Sequence, residues 1–202
     1  MLLRDSKVLG DEERKQLGRI SDNAARLAHF VTSLLDMAKI ERGKLEYRPK
    51  MTDMGKLVED AAQFFQSSAA DGGKILSVTI EPGLPAIHAD ADLLTQVVTN
   101  LISNALKFTP RGGRVEVSLR RDAQALVCAV SDTGVGIAPD ALPRLFQPFE
   151  RVGDSKVGGT GLGLSIAKAM VEMHRGQMSA ASQQGVGSRF SFTLPLEPPP
   201  TR

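Results

Sequence analysis

Asn100, Asn104 and Lys107 stand at i, i+4 and i+7 of one apolar-rich segment, a spacing that puts all three on one helix face. An amide oxygen is a hard ligand suited to Mg²⁺, and a lysine amine is a point charge for phosphate. A polar stripe turned to solvent would carry the same spacing. Asp132-Thr-Gly134-Val-Gly136-Ile137-Ala-Pro139 follows a second apolar run. Its carboxylate only accepts hydrogen bonds, and its glycines admit a close ligand. Once buried, such a carboxylate selects an amino group like that of adenine; an acidic turn after a strand is the plainer alternative. Gly158-Gly159-Thr160-Gly161-Leu162-Gly163-Leu164 opens a helical pattern, and the N–H groups of a helix N-terminus attract anions. It is not a P-loop, since no Gly-Lys-Ser/Thr follows, nor a dinucleotide fingerprint, since the spacing is G-x-G-x-G with no strand directly before it. A flexible loop ahead of a helix would look similar. Phe146 and Phe149 precede residues 150–160, which lack an apolar pattern. That stretch reads as a lid held at its base by both rings, with Arg151 and Lys156 reaching phosphate on closure, or as a surface loop anchored by two aromatics.

These groups need elements to hold them. Residues 90–108 form an apolar-faced helix, capped by Asp90 and stopped by Pro110. Residues 114–120 and 125–131 are two strands joined by a short turn, and 75–80, 177–181 and 189–194 are further strands. Residues 54–70 are helical, with Leu57, Val58, Ala61, Phe64 and Phe65 on one face, and 161–174 are helical too. Strands and helices in this mixture predict an α+β fold, a two-layer α/β sandwich whose mixed sheet is covered by helices on one face. Ahead of it, residues 11–46 read as one long helix. Leu17, Ile20, Ala24, Leu27, Val31 and Leu34 repeat at 3-4 spacing, the narrow seam of a coiled coil or helical hairpin. The predicted division is 1–46 helical stem, 47–196 α/β unit and 197–202 tail.

Composition limits the reading. The chain has 202 residues, 42% of them hydrophobic and 24% charged, with a net charge of +2. Global disorder is excluded, and strong binding to nucleic acid or an acidic membrane has no compositional support. No run reaches the ~18 apolar residues of a membrane span. The single cysteine, Cys128, lies in an apolar strand and reads as core. A reducing, cytoplasmic setting is the expectation. His29, His88 and His174 match no metal spacing.

Taken in order, the clusters resemble the ATP-binding catalytic domain of sensor histidine kinases, in the GHKL superfamily. Residues 100–109 are similar to the family's N box, 132–137 to its G1 box, 146–149 to its F box and 159–164 to its G2 box. Residues 187–195 look like its last strand, and the likeness spans about 50–195. Residues 11–46 resemble the second helix of its dimerisation and phosphoacceptor stem. The resemblance implies that Asn104 coordinates the Mg²⁺ bridging the ATP phosphates, that Asn100 supports it, and that Lys107 meets phosphate. It assigns the adenine amine to Asp132, with a water shared by Ser188, and the adenine pocket to Gly134, Gly136 and Ile137. It assigns phosphate and lid contacts to Phe149, Arg151, Gly159, Thr160, Gly161, Leu162, Gly163 and Leu164. A response regulator and a homodimer formed through the stem are the implied partners.

Two departures carry chemistry. Hydrolytic relatives place a glutamate four residues before the metal-binding Asn to activate water; here that position is Asn100, a poor general base. Transfer to a side chain is therefore expected over rapid hydrolysis. The family's acceptor motif, a His followed by an acidic residue and then Thr-Pro, has no counterpart in this sequence. The expectation is ATP binding without autophosphorylation at the usual site, the chain being part of a longer sensor kinase or a short one acting on a partner. A serine kinase of the anti-sigma class, which usually lacks the stem helix, and a non-catalytic nucleotide-sensing or dimerisation module are the alternatives.

Overall fold

The computed structural model describes residues 10–150 and 160–196. Helix α1 (Asp11–Glu41) leads into strand β1 (Lys50–Thr52), helix α2 (Met54–Asp71), strands β2 (Ile75–Ile80) and β3 (Ile87–Ala89), and helix α3 (Ala91–Phe108). Strands β4 (Arg114–Asp122) and β5 (Ala125–Asp132), helix α4 (Gly163–Met173) and strands β6 (Met178–Gln183) and β7 (Gly187–Pro195) follow. Among the described residues between β5 and α4, Leu142–Arg144 form a 3₁₀ turn.

Five strands form one sheet in the order β2-β4-β5-β7-β6. β2 runs parallel to β4, and every other pairing is antiparallel. Side chains alternate across a strand, so one face collects Val115, Val117 and Leu119, then Leu126, Cys128 and Val130, then Phe190, Phe192 and Leu194, all buried. Leu119, Cys128 and Phe192 sit in one cross-strand row. Helices α2, α3 and α4 cover this face, with α3 packed against both of the others. The two-layer α+β sandwich read from the sequence is the fold observed.

α3 is the central helix. Asp90 caps it by accepting the Asp92 and Leu93 N–H groups at 3.2 Å each, and Leu93, Leu94, Val97, Val98, Leu101, Ile102, Ala105 and Leu106 are buried. Full burial of a Leu, Ile or Val contributes about 1.5–3 kcal/mol, so this stripe anchors the layer that carries the N box.

Several boundaries differ from the sequence reading. α1 stops at Glu41 rather than 46, because Gly43 turns left-handed at φ 61° and the Lys44 N–H bonds back to the Lys39 carbonyl at 2.7 Å. β1 and β3, three residues each and paired antiparallel, were too short to show an alternation. Phe64 is 79% exposed, lying edge-on to Phe65 rather than in the core: the buried stripe runs through Met54, Val58, Ala61, Ala62 and Ala69, and Phe64 falls past its edge. Residues 1–9, 151–159 and the 197–202 tail lie outside the described residues.

α1 touches the rest of the chain near its end. Met37 and Ile40 pack on the core, and Asp36 accepts a hydrogen bond from Gln96 of α3 at 3.0 Å. Ile20 and Leu27 are each 63% exposed, and Val31 and Leu34 are also exposed.

Candidate functional site

The polar face of α3 begins with a pair of amides. Asn104 Nδ2 donates to Asn100 Oδ1 at 3.2 Å, and both side chains are half-buried. This hydrogen bond uses the donor end of Asn104 and not its Oδ1. Lys107 lies in the last turn with its amine 4.9 Å from the Phe108 ring centre. A shallow cavity of about 230 Å³, lined by Phe65, Ser68, Lys74, Ser103, Leu106 and Lys107, opens on the α2 side of this helix; neither Asn104 nor Asp132 lines it.

Asp132 ends β5, opposite Ser188 of β7. Its Oδ1 accepts the Gly134 N–H at 2.8 Å. Burial pushes its pKa above the ordinary carboxylate value, and the backbone N–H groups of Gly134 and Ser188 restrain the rise. The loop after it is pressed onto three neighbours. A Cβ on Gly134 would lie 2.6 Å from the Phe108 carbonyl oxygen, which also accepts the Val135 N–H at 3.3 Å. Gly136 has φ 64° and no room, since a Cβ there would sit 2.0 Å from the Gln183 carbonyl oxygen. Only glycine meets both demands. The Ile137 N–H donates to Ser182 Oγ at 2.8 Å, and that hydroxyl donates to the Gly187 carbonyl at 2.8 Å and lies 2.9 Å from Ser188 Oγ.

The glycine cluster closes the arrangement. Gly161 lies against the Phe149 backbone, where a Cβ would come within 2.7 Å. Thr160 Oγ1 accepts the Leu162 N–H at 3.2 Å, and Leu162 is fully buried. Gly163 starts α4, and its Cβ would stand 2.7 Å from Asn100 Oδ1. Leu164 packs half-buried against the core.

The structure therefore sets the Asn100–Asn104 pair against Gly163 at the start of α4, beside Thr160, Gly161, Leu162 and Leu164, and seats the loop of Asp132, Gly134, Gly136 and Ile137 on the end of α3, tied through Ser182 to Ser188; Lys107, on the same helix as the amide pair, lines the separate cavity on the α2 side. Arg151, Lys156 and Gly159 fall outside the described residues. One expectation is corrected. Phe146 packs on the core, with the Lys168 amine 5.8 Å from its ring centre, but Phe149 is 61% exposed. Phe149 has φ 64°, so it anchors the loop base through its backbone against Gly161 and not through its ring. Ser182 was missed. It ties the Asp132 loop to the β6–β7 hairpin, and a lone serine 45 positions from its partner Ile137 leaves no local signal.

Comparison with known proteins identifies the family. Residues 89–198 match the family described as histidine kinase-, DNA gyrase B-, and HSP90-like ATPase. The chain is 37% identical over 190 residues to histidine protein kinase DivJ of Caulobacter vibrioides, covering 93% of this chain and 32% of that protein. It superposes on full-length ShkA in complex with AMPPNP with a TM-score of 0.80 and 29% identity, over 96% of this chain and 41% of the other. It also shares its fold with histidine kinase ThkA, solved with the response regulator protein TrrA, with a TM-score of 0.73, 21% identity and coverage of 97% and 55%. It spans only 23% to 37% of the first three curated relatives. With a family model matching residues 89–198, a 37% identical histidine protein kinase and a fold shared with a solved kinase, the chain belongs to the histidine kinase-, DNA gyrase B- and HSP90-like ATPase family, as an ATP-binding catalytic region of the histidine-kinase kind.

Proposed function

We propose that this chain binds ATP with Mg²⁺ and transfers the γ-phosphoryl group to a histidine on a helix that pairs with α1, for relay to a response regulator. The observation that carries this reading is the convergence of three distant segments. The Asp132 loop rests on the end of α3 through the Phe108 carbonyl, and α4 begins against Asn100. An adenine selector, an amide pair and an anion-binding helix start thus border one site.

In this reading Asp132 accepts the adenine amine, and Ser182, Ser188 and the β6–β7 hairpin hold its loop. Gly134, Gly136 and Ile137 form the pocket floor. The N–H groups of Thr160, Gly161 and Gly163 face the phosphates, while the Leu162 N–H is held by Thr160 Oγ1. Lys107 adds a positive charge. An amide oxygen beside phosphate oxygens fits a hard cation, so Asn104 would hold the Mg²⁺, with Asn100 orienting it through the 3.2 Å hydrogen bond. The cation would neutralise charge on the transferring phosphoryl group. The protein's own part is positioning. Asn100 carries no basic group to activate water, which favours a side-chain acceptor. The exposed stripe of α1 supplies a surface for the acceptor helix and for a homodimer.

Calorimetric titration of ADP and a non-hydrolysable ATP analogue, with and without Mg²⁺, tests the reading on this chain, Asp132→Asn and Asn104→Ala. Binding should weaken in the first variant, and the Mg²⁺-dependent gain for the analogue should vanish in the second. With an acceptor stem supplied, the transferred phosphate should be acid-labile. Acid-stable phosphate would point to a serine acceptor instead, and absence of binding by the folded chain would refute the proposal.

A further inference from the structure

Both ring nitrogens of His174 are engaged. The residue caps the end of α4 and is 6% exposed. Its Nδ1 lies 2.7 Å from the Met170 carbonyl oxygen, and its Nε2 lies 2.9 Å from the Asp90 backbone nitrogen. A carbonyl on one side and an N–H on the other define the tautomer: Nδ1 donates and Nε2 accepts. Asp90 is the cap of α3, and its second oxygen accepts the Arg48 backbone N–H at 2.7 Å. The Tyr47 ring stands edge-on to His174 with centres 4.9 Å apart, a favourable aromatic geometry.

This junction lies where the stem helix joins the catalytic unit. The amides of Arg42, Gly43 and Lys44 turn back onto α1. Among the described residues, Arg48 is then the first of the segment after α1 to donate a backbone hydrogen bond to the α/β unit. Two residues later β1 pairs with β3. The linker, the start of the N-box helix and the end of the glycine-box helix are therefore joined through one imidazole and one carboxylate. The helices at this junction are the two that carry the amide pair and the anion-binding turn at their other ends.

We propose that His174 is a positioning residue: acting through Asp90 and Tyr47, it clamps the linker after α1 and sets the angle between the stem helix and the nucleotide site. That the clamp serves phosphoryl transfer rests on the kinase reading; the clamp itself rests on the geometry alone. His174→Asn keeps a donor for the Met170 carbonyl but loses the acceptor for Asp90. His174→Gln can place an oxygen where Nε2 stood. Tyr47→Ala removes the aromatic contact at a residue that is 39% exposed, so it leaves the core untouched.

The experiment is a pulsed spin-label distance measurement between Ser21→Cys on α1 and Gln124→Cys at the β4–β5 turn. Cys128 is buried and its thiol pushed up to about 12, so the two introduced thiols label selectively. One narrow distance is expected for the parent chain and for His174→Gln. Loss of that narrow distance is expected for His174→Asn and Tyr47→Ala, with affinity for the ATP analogue held within about twofold. In the transfer assay with a supplied acceptor stem, Tyr47→Ala should lower the rate at saturating ATP by about tenfold to a hundredfold, with KM for ATP unchanged. An unchanged narrow distance in Tyr47→Ala and in folded His174→Asn would overturn the clamp. A parent-like rate at saturating ATP, with the loss confined to a raised KM for ATP, would overturn its positioning role. If the parent chain binds no nucleotide, the kinase reading and the transfer role fall together, and the label distances still decide the clamp.

Discussion

α3 and α1 carry the same kind of apolar stripe and meet different fates. Along α3, Leu94, Val97, Val98, Leu101 and Ile102 are at most 1% exposed. Along α1, Ile20 and Leu27 are each 63% exposed. The 3-4 spacing of apolar residues defines a helix face, but it does not supply what covers that face. The α/β unit provides its own cover, because a sheet face and two flanking helices enclose α3. α1 runs for 31 residues, about 46 Å at the usual rise, and docks through Met37 and Ile40 near its end. This exposed seam is the surface that the proposed function assigns to the acceptor helix and the homodimer.

The contrast can be broken by core truncation. Leu94→Ala should cost about 2–5 kcal/mol of unfolding free energy, read from urea unfolding at constant m-value. A cost below 1 kcal/mol there would show that the α3 stripe is not the anchor it is taken to be. Next in size is the site itself. Asp132→Asn should weaken adenine nucleotide binding about tenfold to a hundredfold, the usual loss for a hydrogen bond to a charged group. The same variant should be no less stable than the parent at neutral pH. Asp132's raised pKa means the folded state keeps its proton longer than the unfolded state, whose value is about 3.9. Its contribution to stability is therefore full below that pH and lost as pH rises through the folded value. A site that costs the fold something to maintain would separate Asp132 from the structural residues of α3.

A smaller effect concerns the junction. Burial lowers the pKa of His174 below its ordinary value, with Asp90 and the backbone groups opposing. On acidification the unfolded chain takes up this proton first, near pH 6.5. Stability should be intact above that value and fall as pH drops toward the folded pKa, with a slope of at most about 1.4 kcal/mol per pH unit for one proton. His174→Gln should flatten that segment of a pH-dependent thermal melt. The smallest effect is expected on α1, where Leu27→Ala should change the unfolding free energy of the α/β unit by no more than about 0.5 kcal/mol. A large cost there would mean that the seam is already covered within one chain.

Much of the site was legible because its parts are local. The amide pair sits at i, i+4 on one helix, and Asp132 and its glycines are contiguous, so spacing alone groups them. The joins between parts were not legible. Gly163 against Asn100, Gly136 against Gln183 and Ile137 on Ser182 link residues 45 to 63 positions apart. Nothing in the local pattern of either partner announces such a contact. The same holds for His174, which matched no metal-ligand spacing yet contacts Asp90, 84 positions away. Phe149 shows the converse error: an aromatic type suggested an anchoring ring, while its left-handed backbone turned the ring outward and left the main chain to do the anchoring.

By itself the sequence determined the helices, the strand alternation, the long stem helix and the residue types able to hold a nucleotide, since these follow from periodicity, capping and side-chain chemistry within a few residues. Only the tertiary structure decided which glycines face which carbonyls, how the Asp132 loop seats on the end of α3, and where the linker is held. Those outcomes depend on close packing between segments distant in the chain, where an ångström of approach, and not residue type, decides what can touch.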